Sequence, residues 1–331
     1  MAVKIKPDDA RLSWLGVVSL EKGRGCVAPW RIPFAERELF NEGVRVRGSH
    51  GAGVRIAFAS NATRIAGAIA PWEGSMSNLD LCCDGQLIAS QPMAGKTQFA
   101  FDGLPARKKL VELWLPQMGQ FKLKSLELNP GASIAAARDR RPKWVVYGSS
   151  ITQCATAQSP LYTWPAVVAR AMGYNLTCLG YGGNCHLEPM VARMIRDLHA
   201  DYLAMCVGIN IYGNGSLSPR TYREALIGFV KIVREKHAGK PFVVMSAIIS
   251  PPRETVENRV GFTLEQMRQV TKDAVDLLRA HGDKKLYYIN GLDILGPAEA
   301  GLLPDNLHPN AEGYRLMGQR FAAQAAQKYF R

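Results

Sequence analysis

The stretch Lys143-Trp-Val-Val-Tyr-Gly-Ser-Ser-Ile-Thr152 decides how this chain is read. Four apolar residues in a row, without alternation, suit a strand covered on both faces, as in a parallel sheet, and the Gly-Ser-Ser after them opens a turn. Comparable runs follow at Leu176–Leu179, Tyr202–Val207, Phe242–Ile249 and Leu286–Ile289. Helical spacing fills the gaps. Leu187, Met190, Val191, Met194, Ile195 and Leu198 recur every three or four residues, as do Trp164, Val167, Val168, Ala171 and Met172 before Gly173. Each set forms one apolar stripe to lay against a sheet. Ser218-Pro219 reads as a helix start, and Phe262-Thr-Leu-Glu-Gln266-Met267 as another that combines a capping box with a hydrophobic staple. Tyr314, Met317 and Phe321 share one face of a last helix. Five strands interleaved with helices predict an α/β domain over 143–331, built on a parallel five-stranded sheet.

Upstream the grammar changes. Gly43-Val-Arg-Val-Arg47, Gly53-Val-Arg-Ile-Ala-Phe58, Leu79–Cys83, Gln98–Phe101, Leu110–Leu115 and Phe121–Leu128 mostly alternate with period two and are separated by Gly, Pro, Asn or Asp. That pattern predicts an all-β sandwich, jelly-roll-like, over residues 1–135. Residues 136–142, Ala-Ala-Arg-Asp-Arg-Arg-Pro, lose both periodicities and read as the linker.

Composition narrows the function classes. The chain has 331 residues, and its 47% hydrophobic content suits buried cores rather than a disordered chain. The formal charge is +13, but the first 138 residues hold 18 basic and 12 acidic side chains against 23 and 16 in the rest. The excess is therefore spread, no nucleic-acid arm stands out, and no nucleic-acid partner is expected. A role in attracting an anionic substrate and a merely solvated surface both remain open. The opening Met1-Ala-Val-Lys-Ile-Lys-Pro-Asp-Asp9 lacks a signal-peptide core, and no apolar run is long enough to cross a bilayer, so a cytoplasmic protein without membrane contact is expected. Seven Cys without C-x-x-C spacing read as buried free thiols.

In an open parallel sheet the ligand crevice lies beyond the carboxyl ends of the strands. There the chain places Gly148-Ser149-Ser150-Ile151-Thr152, Gly180-Tyr-Gly-Gly183-Asn184-Cys-His186, Gly208-Ile209-Asn210-Ile211 and Asp305-Asn-Leu-His308. Asp305 and His308 are spaced so that the carboxylate can bond one imidazole nitrogen while the other acts as general base. A serine at the end of the first strand is where that base can reach. The Ser150 and Gly183 N–H groups and the Asn210 amide are candidate donors to an oxyanion.

These four segments resemble the SGNH (GDSL-type) hydrolase superfamily, whose blocks supply Ser, Gly, Asn and His in this order. The resemblance covers about residues 143–331 and implies a flavodoxin-like SGNH hydrolase domain. It also implies Ser150 as nucleophile, His308 as base, Asp305 as its orienting partner, and Ser150, Gly183 and Asn210 as the oxyanion hole. The sandwich ahead of it resembles the two-domain carbohydrate-esterase-like members. Two departures stand out: Ser149 and Ile211 occupy positions where the superfamily usually has Asp. Neither removes a reacting group, so they bear on rate and substrate preference.

The expected activity is a metal-independent serine esterase, acting through an acyl-enzyme on a small or polar ester with a short acyl chain, an acetylated sugar among the options. The same triad also serves a lactonase or thioesterase. The opposing reading is a catalytically silent glycan-binding protein. Tyr181, Tyr212 and Trp164 are candidate pocket walls or core residues, and His186 a candidate substrate contact or surface residue. Arg253 and Glu254 hold a polar substrate group or brace a loop. Cys154, one helical turn after Ser150, lacks a base of its own. Trp72 and Trp114 offer either sugar stacking or core. No spacing suits a metal, phosphate loop or dinucleotide, so no cofactor is expected. Oligomeric state leaves no mark in the sequence.

Overall fold

The computed structural model describes residues 1–330. Its C-terminal half holds five parallel strands in the order Asn175–Gly180, Lys143–Gly148, Tyr202–Cys206, Phe242–Met245 and Leu286–Ile289. That is the flavodoxin-like order, with the switch point beside the first strand in sequence. The strands are buried nearly throughout, as their unbroken apolar runs require. Helices Trp164–Met172, Pro189–Asp197, Pro219–Arg234, Leu264–Ala280 and Ala311–Phe321 cover the two faces. Their ends follow the sequence signals: Thr163 and Thr263 cap their helices, and Thr263 and Gln266 close a capping box. Tyr314, Met317 and Phe321 are fully buried.

The N-terminal half is a sandwich of two six-stranded antiparallel sheets. One runs Ser19–Gly23, Cys26–Trp30, Leu123–Leu128, Ile65–Ile69 and Gln98–Phe101, with Val3–Ile5 also paired to Leu123–Leu128. The other runs Ile134–Ala136, Arg55–Ser60, Lys109–Trp114, Asn78–Cys83 and Gln86–Pro92, with Ser13–Leu15 beside Arg55–Ser60. Phe58, Leu81, Val111, Leu113, Phe121 and Leu126 fill the space between the sheets.

One expected strand is a helix. Gly43-Val-Arg-Val-Arg47 lies in the helix Glu42–Gly48, capped by the Asn41 side chain on the Gly43 N–H. Its buried positions are Val44 and Gly48, four apart, while Val46 is 47% exposed. The alternation of Val and Arg imitated a strand, but an Asn cap followed by Glu in the first turn outweighs two valines.

The sandwich rests on the free edge of the parallel sheet. Strand Asn175–Gly180 is an edge strand whose outward carbonyls need donors. Two fully buried arginines supply them: Arg31 Nη1 donates to Cys178 O at 3.0 Å and Gly180 O at 2.7 Å, and Arg55 Nη1 to Leu176 O at 3.1 Å. Burial pushes the Arg31 guanidinium down, and it pushes Arg55 to about 10 against the pull of Glu112. Such cations are tolerated because most of their N–H groups meet acceptors, and Arg55 Nε, which has no hydrogen-bond partner, lies 3.7 Å from the Glu112 carboxylate.

Candidate active site

The site forms at the carboxyl ends of the first three parallel strands. The first strand ends at Gly148, and a short helix, Ser150–Gln153, begins at once. Ser149 caps it, its hydroxyl accepting from the Ile151 N–H. A serine thereby does at this position what the superfamily's usual Asp is equipped to do, which is to accept from a helix N-terminus. Ser150 is the first helical residue, so its N–H has no intrahelical acceptor. Glycine is required on two strand ends: a Cβ on Gly148 would lie 2.0 Å from Thr152 Oγ1, and one on Gly180 would lie 2.3 Å from the Gln153 nitrogen. Both strands thus pass close under the serine helix.

Ser150 Oγ lies 2.9 Å from His308 Nε2, and His308 Nδ1 lies 2.6 Å from Asp305 Oδ2. These three side chains form one continuous hydrogen-bonded chain. Asp305 Oδ1 also accepts from the N–H groups of Leu307 and His308. Burial alone would raise the Asp305 carboxyl, but these bonds win and hold it at about 2, so it is a carboxylate at neutral pH. The loop that carries the pair is held from outside by Ser250 Oγ, which donates to Asn306 O at 2.7 Å, and by Thr156 Oγ1, which donates to Pro309 O at 2.7 Å.

The other two segments meet beside Ser150. Gly183 adopts φ +77°, a left-handed conformation that favours glycine, and among the described residues its N–H has no acceptor. The neighbouring Gly182 N–H is occupied by Gln153 Oε1 at 2.8 Å. Asn210, in the helix Ile209–Asn214, donates one amide hydrogen to Asn184 O at 2.6 Å, which leaves the other for a ligand. Ile211 is fully buried, so the position where the superfamily usually has Asp faces the core here.

The pocket candidates separate by burial. Tyr181 is fully buried and donates its hydroxyl to Arg31 O, which makes it core rather than pocket wall; burial raises its phenol, as Arg31 opposes. Trp164 is likewise core, as is Trp114, packed under Arg55. Tyr212 is 8% exposed and bonds Val256 O. Glu254 pairs with Arg268 and accepts from the Ser250 N–H, so it braces its loop, and Arg253 Nη1 does the same through Ser250 Oγ. His186 stays at the site, with Nδ1 2.7 Å from Ser216 Oγ and Nε2 3.3 Å from Gly183 O. Cys154 is buried and its thiol is pushed well up by burial.

Sequence reasoning passed over contributors from both halves. Gln153 Nε2 bonds Gln117 O at 3.1 Å and His50 Nδ1 at 3.0 Å, which carries the sandwich to the edge of the site. Trp72, already a candidate for sugar stacking or core, meets His50 edge-on at 6.1 Å. The available signal was weak: Gln153 lies one helical turn after Ser150, and its partners lie over a hundred and about 36 residues away in sequence.

A parallel five-stranded sheet covered by helices, with Ser150, His308 and Asp305 hydrogen-bonded at its carboxyl edge, is the arrangement of the SGNH fold. More narrowly, residues 142–328 match the GDSL-like Lipase/Acylhydrolase family, and the chain belongs to that family. Residues 12–124 match the SsfX3 N-terminal domain. Across its length the chain is similar to the salicylyl-acyltransferase SsfX3 from a tetracycline biosynthetic pathway, at 33% identity and TM-score 0.91, covering 99% of this chain and 97% of that one. A Bacteroides ovatus structure described as a GDSL-like lipase shares the fold at 23% identity and TM-score 0.82, with 99% and 98% covered. A family two carbohydrate esterase from Cellvibrio japonicus does so at 14% and 0.69, again with 99% and 98% covered. No curated protein sequence matches significantly.

Proposed function

We propose that this protein is a serine esterase acting by a covalent acyl-enzyme on small or polar carboxylic esters. The observation that carries the reading is the unbroken chain from Ser150 Oγ through His308 to Asp305, with distances of 2.9 and 2.6 Å. Ser150 Oγ attacks the ester carbonyl as His308 Nε2 takes its proton. The Asp305 carboxylate fixes the tautomer that leaves Nε2 free to accept and stabilises the imidazolium that forms. The tetrahedral oxyanion is bound by the N–H groups of Ser150 and Gly183 and by the free Asn210 amide hydrogen. Collapse of the intermediate returns the proton to the leaving alcohol, and water repeats the sequence to free the acid.

The catalytically silent glycan-binding alternative is weakened because the reacting groups are in contact and poised, not merely present in the sequence. A second reading, acyl transfer to an alcohol acceptor, is favoured by the 33% identity to a protein described as an acyltransferase. Both readings share the acyl-enzyme and differ in what intercepts it.

Short-chain p-nitrophenyl esters test the proposal. The intact protein should turn them over, and Ser150→Ala should lose at least about 10³-fold in kcat/KM while keeping its fold. Adding a sugar or phenolic alcohol should leave product as acid if water is preferred, or convert it to a new ester if transfer dominates. Undiminished turnover by a folded Ser150→Ala protein would end the proposal.

A further inference from the structure

The space facing Ser150 is bounded partly by the sandwich half, and one side chain there has no assigned task. A Cβ placed on Gly182 would lie 3.1 Å from Gln153 Oε1, 3.5 Å from Arg47 Nε and 3.6 Å from Ser150 Cβ. Arg47 Nε and Ser150 Cβ are thus both near one point and within about 7 Å of each other. The missing side chain at Gly182 keeps that space open.

Arg47 is half-buried, and among the described residues its guanidinium forms no ion pair and donates no hydrogen bond, while its carbonyl accepts from Arg31 and from the His50 N–H. The cations around it are all committed. Arg31 donates to the carbonyls of Arg47, His50, Cys178 and Gly180, and Arg45 pairs with Glu38. So are the site's carboxylates. Asp305 is bonded to His308, and Glu188 accepts from the N–H groups of Cys185 and His186 and from the Tyr147 hydroxyl. An unpaired, partly desolvated guanidinium whose Nε lies within about 7 Å of Ser150 Cβ is a fork of donors without an acceptor, and its planar geometry matches a carboxylate or phosphate.

We propose that Arg47, on helix Glu42–Gly48 of the sandwich, binds an anionic group on the substrate. Resting on the esterase reading above, this makes the preferred substrate an ester bearing a carboxylate or phosphate within a few bonds of the scissile carbonyl. The sandwich then acts in specificity as well as in covering the sheet edge. It supplies the charge that selects the substrate, and the α/β half supplies the groups that react with it.

The test compares three p-nitrophenyl esters of one chain length: the hemiglutarate, its terminal amide as neutral isostere, and the terminal phosphonate. The readout is the ratio of kcat/KM for each anionic ester to that for the amide. A charge-assisted hydrogen bond of ordinary strength corresponds to about a 10- to 100-fold preference in the native protein. Arg47→Met should bring the ratio near one, chiefly through KM of the anionic esters, and Arg47→Lys should restore part of it. Whichever anionic ester is better identifies the source as carboxylate or phosphate. A native ratio near one, or an Arg47→Met protein that loses the same factor on all three esters, overturns the proposal. Calorimetry on the Ser150→Ala protein with glutarate against its monoamide separates this proposal from the esterase reading. Tighter binding of glutarate that disappears in the Arg47→Met, Ser150→Ala double variant supports Arg47 even if no ester is turned over. Equal binding of the two ligands counts against it.

Discussion

In the mechanism proposed above, Asn210 supplies one of three donors to the oxyanion. Its amide is held by Asn184 O at 2.6 Å, so its second hydrogen is aimed without loss of side-chain freedom during reaction. Asn210→Ala should lower kcat by about 10²–10³-fold with KM much less changed, because the donor acts mainly on charge present in the transition state. An Asn210→Ala protein that melts earlier yet keeps its kcat would make Asn210 a structural residue only. Residues of this kind were legible in the sequence because their chemistry is short-range: Asp305 and His308 lie three apart, and Ser150 directly follows the strand end. Arg47, Gln153 and Ser250 were not legible. Their roles depend on partners brought together only by the fold, as Gln153 is with His50 and Ser250 with Asn306.

At the scale of elements, the serine helix and the strands beneath it are fitted at glycines. The Cβ of Gly180→Ala would strike the backbone of Thr152 and Gln153, 2.5 and 2.3 Å away, and backbone cannot swing aside as a side-chain tip can. The variant should lose about 1–3 kcal/mol of stability and also part of its kcat, as the helix carrying Ser150 is displaced. A Gly180→Ala protein with native melting temperature and native kcat would show that the contact relaxes freely. The parallel strands were legible because burial on both faces writes an unbroken apolar run. Helix Glu42–Gly48 was misread because two Val-Arg pairs imitate period two, and its real period rests on only Val44 and Gly48. Short strands such as Val3–Ile5 and Ser13–Leu15 are too brief to carry any period, and they exist through pairing with distant strands.

Over the whole molecule, the two halves share a polar, buried seam in which His50 is the titrating group. Burial, aided by the positive charges of Arg31 and Arg47, pushes its imidazole down to about 3. The folded state therefore keeps His50 neutral while the unfolded chain takes up a proton below its ordinary value of 6.5. Stability from this group is whole above pH 6.5 and declines as pH falls from there toward 3. His237, also pushed down by burial, adds to the same slope. Between pH 7 and 4.5 a His50→Gln protein should lose less melting temperature than the native one; equal losses would mean that His50 does not stay neutral on folding. If the assembled fold makes Ser150 a nucleophile, the acyl group can be trapped on it. The protein is mixed with a short-chain p-nitrophenyl ester, quenched in acid at the burst, and its intact and peptide masses are measured. The expected result is one added acyl group per chain, carried by Ser150 and absent from Ser150→Ala. Rapid turnover by native protein with the acyl group on another residue, or undiminished turnover by folded Ser150→Ala, would contradict it.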